Sequence, residues 1–138
     1  MAAAVLRTAE PAPMLLGTEL WSGESRIASS AALRGGLFSA VSDSRFRQFS
    51  TSYETRFGAQ PYRIATLGYD SVLLTLRIAR DWTPGSKFPD GKMLAADGFL
   101  GLDGPFRFRS DGVGERAMEV RQVGNGTVTV VDPAPARF

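Results

Sequence analysis

The side chains in this chain that can do chemistry are carboxylates, guanidiniums and hydroxyls. Its 138 residues include no His and no Cys. There is thus no imidazole base, and no Ser–His or Cys–His nucleophile can form. Disulfides and cysteine or histidine zinc sites are excluded with them. The 14 acidic residues run from Glu10 to Asp132 and show neither metal-ligand spacing nor a recognised acid/base pair. Ser22 and Ser25 have no neighbouring base to activate a hydroxyl. Gly101-Leu102-Asp103-Gly104 and Gly112-Val113-Gly114 are too short for phosphate loops and do not precede a helix. No catalytic residue, metal site or cofactor is expected, and the chain is not expected to be an enzyme.

The net charge is +2 and the basic residues number 16, nearly all of them Arg. They are scattered instead of gathered into a patch, so nucleic acid is not an expected partner. Arg107 and Arg109 alternate with Phe106 and Phe108, which is the pattern of a strand with one wet face and one buried face. Apolar residues make up 43% and charged residues 22% of the chain, a globular composition long enough for a real core. No apolar run approaches the length of a spanning helix, so direct membrane insertion of this segment is not expected. The N-terminal MAAAVLRTAEPAPMLL lacks the basic start and continuous apolar core of a secretory leader.

The elements that would position a site follow from spacing. Residues 2–9 read as the tail of a helix ended by Pro11 and Pro13. Met14–Thr18 is a short apolar strand that opens into the loop Glu19–Glu24, and open α/β sheets place ligands at that end of a strand. Ile27–Leu33 suggests a short helix, and Leu37–Val41 a second strand. Phe46, Phe49, Tyr53 and Phe57 recur at helical spacing after an N-cap at Asp43 or Ser44. They predict a helix over 44–57 with Arg45, Arg47, Glu54 and Arg56 facing water and the rings in the core. Gly58 suits the position just past its end, and Pro61 the first turn of the next helix. That helix, about 61–81, is apolar around most of its circumference, with a polar stripe through Arg63, Asp70, Arg77 and Asp81. It is expected to be buried on more than one side. A helical turn near 91–96 and strands at 104–109, 116–123 and 127–131 follow, with Asn125-Gly126 as a type I′ hairpin turn.

Three stretches in order, GTELW (17–21), YETRFGAQPYRIATLGYDSV (53–72) and GFLGLDGPFRFRSDGVGERAMEVRQV (98–123), resemble the type I periplasmic substrate-binding proteins of the leucine/isoleucine/valine-binding kind. The ending ERAMEVRQVGNGTVTVVDPAPARF resembles the branch called penicillin-binding protein activators. The resemblance runs from about Met14 to the end and implies the C-terminal portion of a two-lobed α/β protein. By analogy, about 1–36 and 98–138 belong to the second lobe, and the helices within about 43–97 pack on a first lobe whose sheet this segment lacks. The implied function is non-catalytic binding of a small polar ligand, such as an amino acid, for ABC-type uptake or sensing in the periplasm. The implied partners are a permease or a cell-wall synthase.

In the amino-acid-binding members an acidic residue after the strand equivalent to Met14–Thr18 pairs with the ligand's ammonium group. Glu19 falls there, and Trp21 would add apolar or cation–π surface. The many-sided apolar helix implies missing neighbours or a homo-oligomer.

Overall fold

A computed structural model describes residues 2–6 and 8–138; of the helix expected over 2–9, Arg7 lies outside the described residues. The helices are α1 (Ala2–Leu6), α2 (Ser25–Ser29), α3 (Ser44–Phe57) and α4 (Ala65–Ile78). The strands are β1 (Leu16–Gly17), β2 (Leu37–Ala40), β3 (Phe99–Gly101), β4 (Gly104–Phe108), β5 (Gly114–Arg116), β6 (Glu119–Val123) and β7 (Val128–Asp132). The chain divides into two compact units, one of residues 1–41 with 118–134 and the other of 42–117 with 135–138.

In the first unit the apolar run after Gly35-Gly36 becomes the central strand β2. A sheet of order β1-β2-β6-β7 is built on it, with β1 parallel to β2 and the remaining pairs antiparallel. Phe38, Ala40 and Val123 form its buried centre, and Trp21, Ile27, Leu33 and Val128 pack round them. The strand expected over Met14–Thr18 pairs only at Leu16 and Gly17, with the Leu15 carbonyl accepting from the Leu37 amide at 2.9 Å.

The hairpin β6–β7 is present, but its turn differs from the predicted type. Gly126 has φ +79°, whereas among the described residues none other than Gly has positive φ, so Asn125 does not occupy a type I′ position. The loop is held elsewhere: the Gly126 amide donates to the Ala28 carbonyl at 3.0 Å, and the Asn125 side chain accepts from Arg34 at 2.7 Å.

In the second unit, β3-β4-β5 form an antiparallel sheet. Phe106 is buried, and Arg107 and Arg109 both reach Glu115 on β5, as the alternation predicts. The strand expected over 116–123 is in fact two. The chain leaves the three-stranded sheet at Arg116 and enters the four-stranded one at Glu119. Residues 98–117 therefore cluster with the helices. The reason is a set of polar contacts between α4 and the β3–β4 turn, described below.

The helix α3 matches its predicted span. It ends at Gly58, which adopts φ +73° and donates its amide to the Glu54 carbonyl, a conformation that costs glycine little. Its rings stack in a row: Phe46–Phe49 at 6.4 Å, Phe49–Tyr53 at 5.8 Å and Tyr53–Phe57 at 4.6 Å between centroids, with Phe49 also 5.2 Å from Tyr69 of α4. The row is not a buried core, however; no residue of α3 is buried and Phe57 is 61% exposed.

The next helix, α4, begins at Ala65 and not at Pro61, because the turn at Tyr62–Ile64 carries Arg63 toward Asp103 and Asp43. Its inward row is Thr66, Asp70, Leu74 and Ile78, spaced by four residues, while Leu67, Val72, Leu73 and Leu76 remain exposed. The covered face is thus part of the polar stripe, and within this chain the helix is covered on one side.

Candidate functional site

Strands β1 and β2 run parallel, so their C-terminal ends open on one edge of the four-stranded sheet. The loop after β1 is a 3₁₀ turn, Glu19–Trp21, closed by the Trp21 amide donating to the Thr18 carbonyl at 3.0 Å and the Ser22 amide to the Glu19 carbonyl at 2.8 Å. Both residues singled out in the sequence lie on this turn. Trp21 is half-buried and turns inward, its ring 5.7 Å from that of Phe38. Glycine is required beneath it: a Cβ at Gly17 would run into the indole, and one at Gly36 would lie 3.3 Å from it. Glu19 is exposed. The turn therefore presents a carboxylate outward and anchors itself through the indole.

Sequence reasoning missed the charged groups beneath this turn. In β6, Glu119 pairs in register with Ala40 and Arg121 with Phe38, so both sit close to the same edge. The two side chains are only 8% and 12% exposed and are joined by Arg121 Nε donating to Glu119 Oε1 at 2.7 Å. The same guanidinium donates to the Val41 carbonyl at 3.0 Å and to Ser22 Oγ at 3.3 Å. A desolvated guanidinium is tolerable only when its fork of donors is satisfied, and these acceptors come from three separate segments. The signal in the sequence was alternation. Glu119, Arg121 and Val123 share one strand face, and the apolar Val123 marks that face as inward.

A second polar cluster lies within the other unit, around the Leu102-Asp103 turn joining β3 and β4. Asp103 is buried; it accepts from Thr66 Oγ1 at 2.7 Å and from Arg63 at 2.5 Å. Asp70 is also buried and accepts the Leu102 amide at 2.9 Å. Burial raises the Asp70 pKa above the ordinary carboxylate value; the Leu102 hydrogen bond opposes this, and the Asp103 charge adds to it. These contacts hold the turn against α4 and touch no open ligand site. A cleft of about 260 Å³ between α4 and β4–β5, lined by Leu67, Leu74, Phe106 and Phe108, falls below the usual range for ligand pockets. Among the described residues there is no cluster of potential metal ligands, and no helix is long and apolar enough to cross a membrane.

No protein-family model and no curated protein matches the chain. Solved structures do. A protein from Rhodospirillum rubrum described as a branched-chain amino acid ABC transporter is 24% identical, with a TM-score of 0.70 over 94% of this chain and 41% of its own. The leucine-binding protein LivK of Thermotoga maritima is 21% identical with a TM-score of 0.55, over 96% of this chain and 41% of its own. An ABC-transporter solute-binding protein from R. palustris, solved with benzoate, is 21% identical with a TM-score of 0.53, over 97% of this chain and 40% of its own. The chain spans about two fifths of the length of each. It adopts a mixed α/β arrangement that corresponds to part of the type I periplasmic binding-protein fold.

Proposed function

We propose that this chain forms the C-terminal portion of a two-lobed, non-catalytic solute-binding protein. It would bind a small polar ligand such as an amino acid and deliver it to an ABC permease or a sensor in the periplasm. The observation that carries this reading is the edge where β1 and β2 end, with the outward carboxylate of Glu19 on a turn anchored by Trp21. An open α/β sheet takes ligands at such an edge. Glu19 would accept a charge-assisted hydrogen bond from a ligand ammonium, and the exposed rim of Trp21 would meet its apolar part. The likeness to structures named for leucine, branched-chain amino acids and benzoate supports a solute ligand. The uncovered apolar residues of α4 fit a first lobe packing there, and closure of that lobe would exclude water from the site.

The test is a thermal-shift screen, against a panel of amino acids, of the longer protein encoded around this chain. A ligand at 100 times its Kd stabilises by about 2.7 kcal/mol, and Glu19→Gln should abolish the shift. No shift with any amino acid would favour the other function suggested by the ending, a penicillin-binding protein activator that docks on a cell-wall synthase. A reading frame upstream of Met1 that encodes a leader and a first lobe, with permease genes beside it, supports transport.

A further inference from the structure

We propose that Arg121 is a positioning residue that fixes the ligand-contacting turn Glu19–Trp21 to the sheet through Ser22. This rests on the solute-binding reading of that turn and adds to it the group that sets the turn's place. The argument begins with what else could hold the loop. Its backbone hydrogen bonds, Trp21 to Thr18 and Ser22 to Glu19, are internal and give the turn shape without a location. Location requires contacts to other segments. Trp21 supplies an apolar one, to Phe38. The polar one is Arg121 to Ser22 Oγ at 3.3 Å, spanning 99 positions of sequence.

The guanidinium suits this work because it is itself immobilised. Its Nε is held by Glu119 at 2.7 Å, one terminal nitrogen by the Val41 carbonyl at 3.0 Å, and the other reaches Ser22. With Nε and one terminal nitrogen held by Glu119 and Val41, the planar fork presents its other terminal nitrogen to Ser22 in a fixed direction. Lys cannot reproduce this, since a single ammonium on a flexible stem does not reach three acceptors from different segments in fixed directions. Val41 directly follows the strand that pairs with β1, so Arg121 also sets the loop relative to the neighbouring strand end. A ligand ammonium bound at Glu19 would meet a turn whose ordering cost had been met in folding, which is how preorganisation improves affinity.

The experiment needs no ligand. Trp21 and Trp82 are the only tryptophans, so the 138-residue chain carrying Trp82→Phe reports on the turn alone, and the chain carrying Trp21→Phe reports on the other unit. In the first background, Arg121→Met is expected to raise acrylamide quenching of Trp21 about twofold or more, because a released turn opens locally, and Arg121→Lys is expected to do the same to a lesser degree. Ser22→Ala cuts only the link to the loop. It should also raise Trp21 quenching, with the unfolding midpoint close to that of its parent. In the second background, Trp82 quenching should stay constant in all three variants. Unchanged Trp21 quenching in Ser22→Ala overturns the proposal, as does a rise at Trp82 matching that at Trp21, which would mark Arg121 as a general support of the fold. The thermal-shift screen of the longer protein against the amino-acid panel separately tests the solute-binding reading, so the two fail independently.

Discussion

Asp103 lies in the two-residue turn between β3 and β4, and Asp70 holds that turn from α4. Asp103 takes hydrogen bonds from Arg63 and Thr66 while buried. Asp103→Ala would strand those donors and should cost about 2–4 kcal/mol. Asp103→Asn, which keeps an acceptor, should cost less, and urea melts of the two variants measure the difference. For Asp70 the sign is reversed from the usual surface carboxylate. Its folded pKa is raised by burial, so the folded state holds that proton more tightly than the unfolded chain. The stability this contributes is fully present below the ordinary value of 3.8 and is lost as pH rises through the raised value. Asp70→Asn removes the term. The stability of Asp70→Asn relative to the parent is therefore expected to fall as pH is lowered from neutral into the acid range, as read from paired melts. A difference that stays flat with pH would refute the raised pKa.

Among the elements, α3 and α4 show how helical spacing finds a face without saying what covers it. Phe49 contacts Phe46, Tyr53 and Tyr69 and is half-buried. Phe49→Ala should cost about 2–3 kcal/mol, below the 3–5 typical of a fully enclosed ring. Phe57→Ala, at a position 61% exposed, should cost under about 1 kcal/mol. Equal losses in chemical denaturation would restore the buried-core reading of the row. The β3–β4 turn offers a sharper test. A Cβ at Gly101 would collide with the Asp70 carboxylate, so Gly101→Ala should destabilise by about 1–3 kcal/mol through the shift it forces. In an Asp70→Ala background, where that carboxylate is gone, the added loss should largely disappear.

For the molecule as a whole, the decisive property is the apolar surface left on α4. Val72 is 60%, Leu76 62% and Leu67 48% exposed, beside an apolar groove of about 750 Å³ shared by Phe49, Tyr53, Tyr69 and Leu73. Contiguous apolar patches seldom remain wet. The 138-residue chain is expected to self-associate through this face, or to bind a hydrophobic dye there, while remaining folded. Val72→Glu with Leu76→Glu should reduce both the sedimenting mass and the dye signal with little change in the unfolding midpoint. A dry, compact monomer without the substitutions would contradict this. The same surface fits the solute-binding proposal, in which a first lobe covers it, and it predicts weak ligand binding by the chain alone, because an open half-site does not exclude water.

What the sequence determined by itself was local or compositional. The absence of His and Cys removed whole classes of catalysis and metal binding. Aromatic spacing placed α3, and glycine at position 58 placed its end, because both signals act within a turn or two of helix. The turn after β1 was legible because a strand ending in Gly has only a few ways to continue. Tertiary structure alone decided the rest, and each case depends on contacts distant in sequence. Thr66 and Asp70 face inward because Asp103 and the Leu102 amide, 37 and 32 positions away, meet them there. The run 116–123 divides because its halves pair with different sheets. Arg121 is tied to Ser22 across 99 positions. Periodicity identifies which residues share a face, but which face is covered depends on partners whose position is set only when the chain has folded.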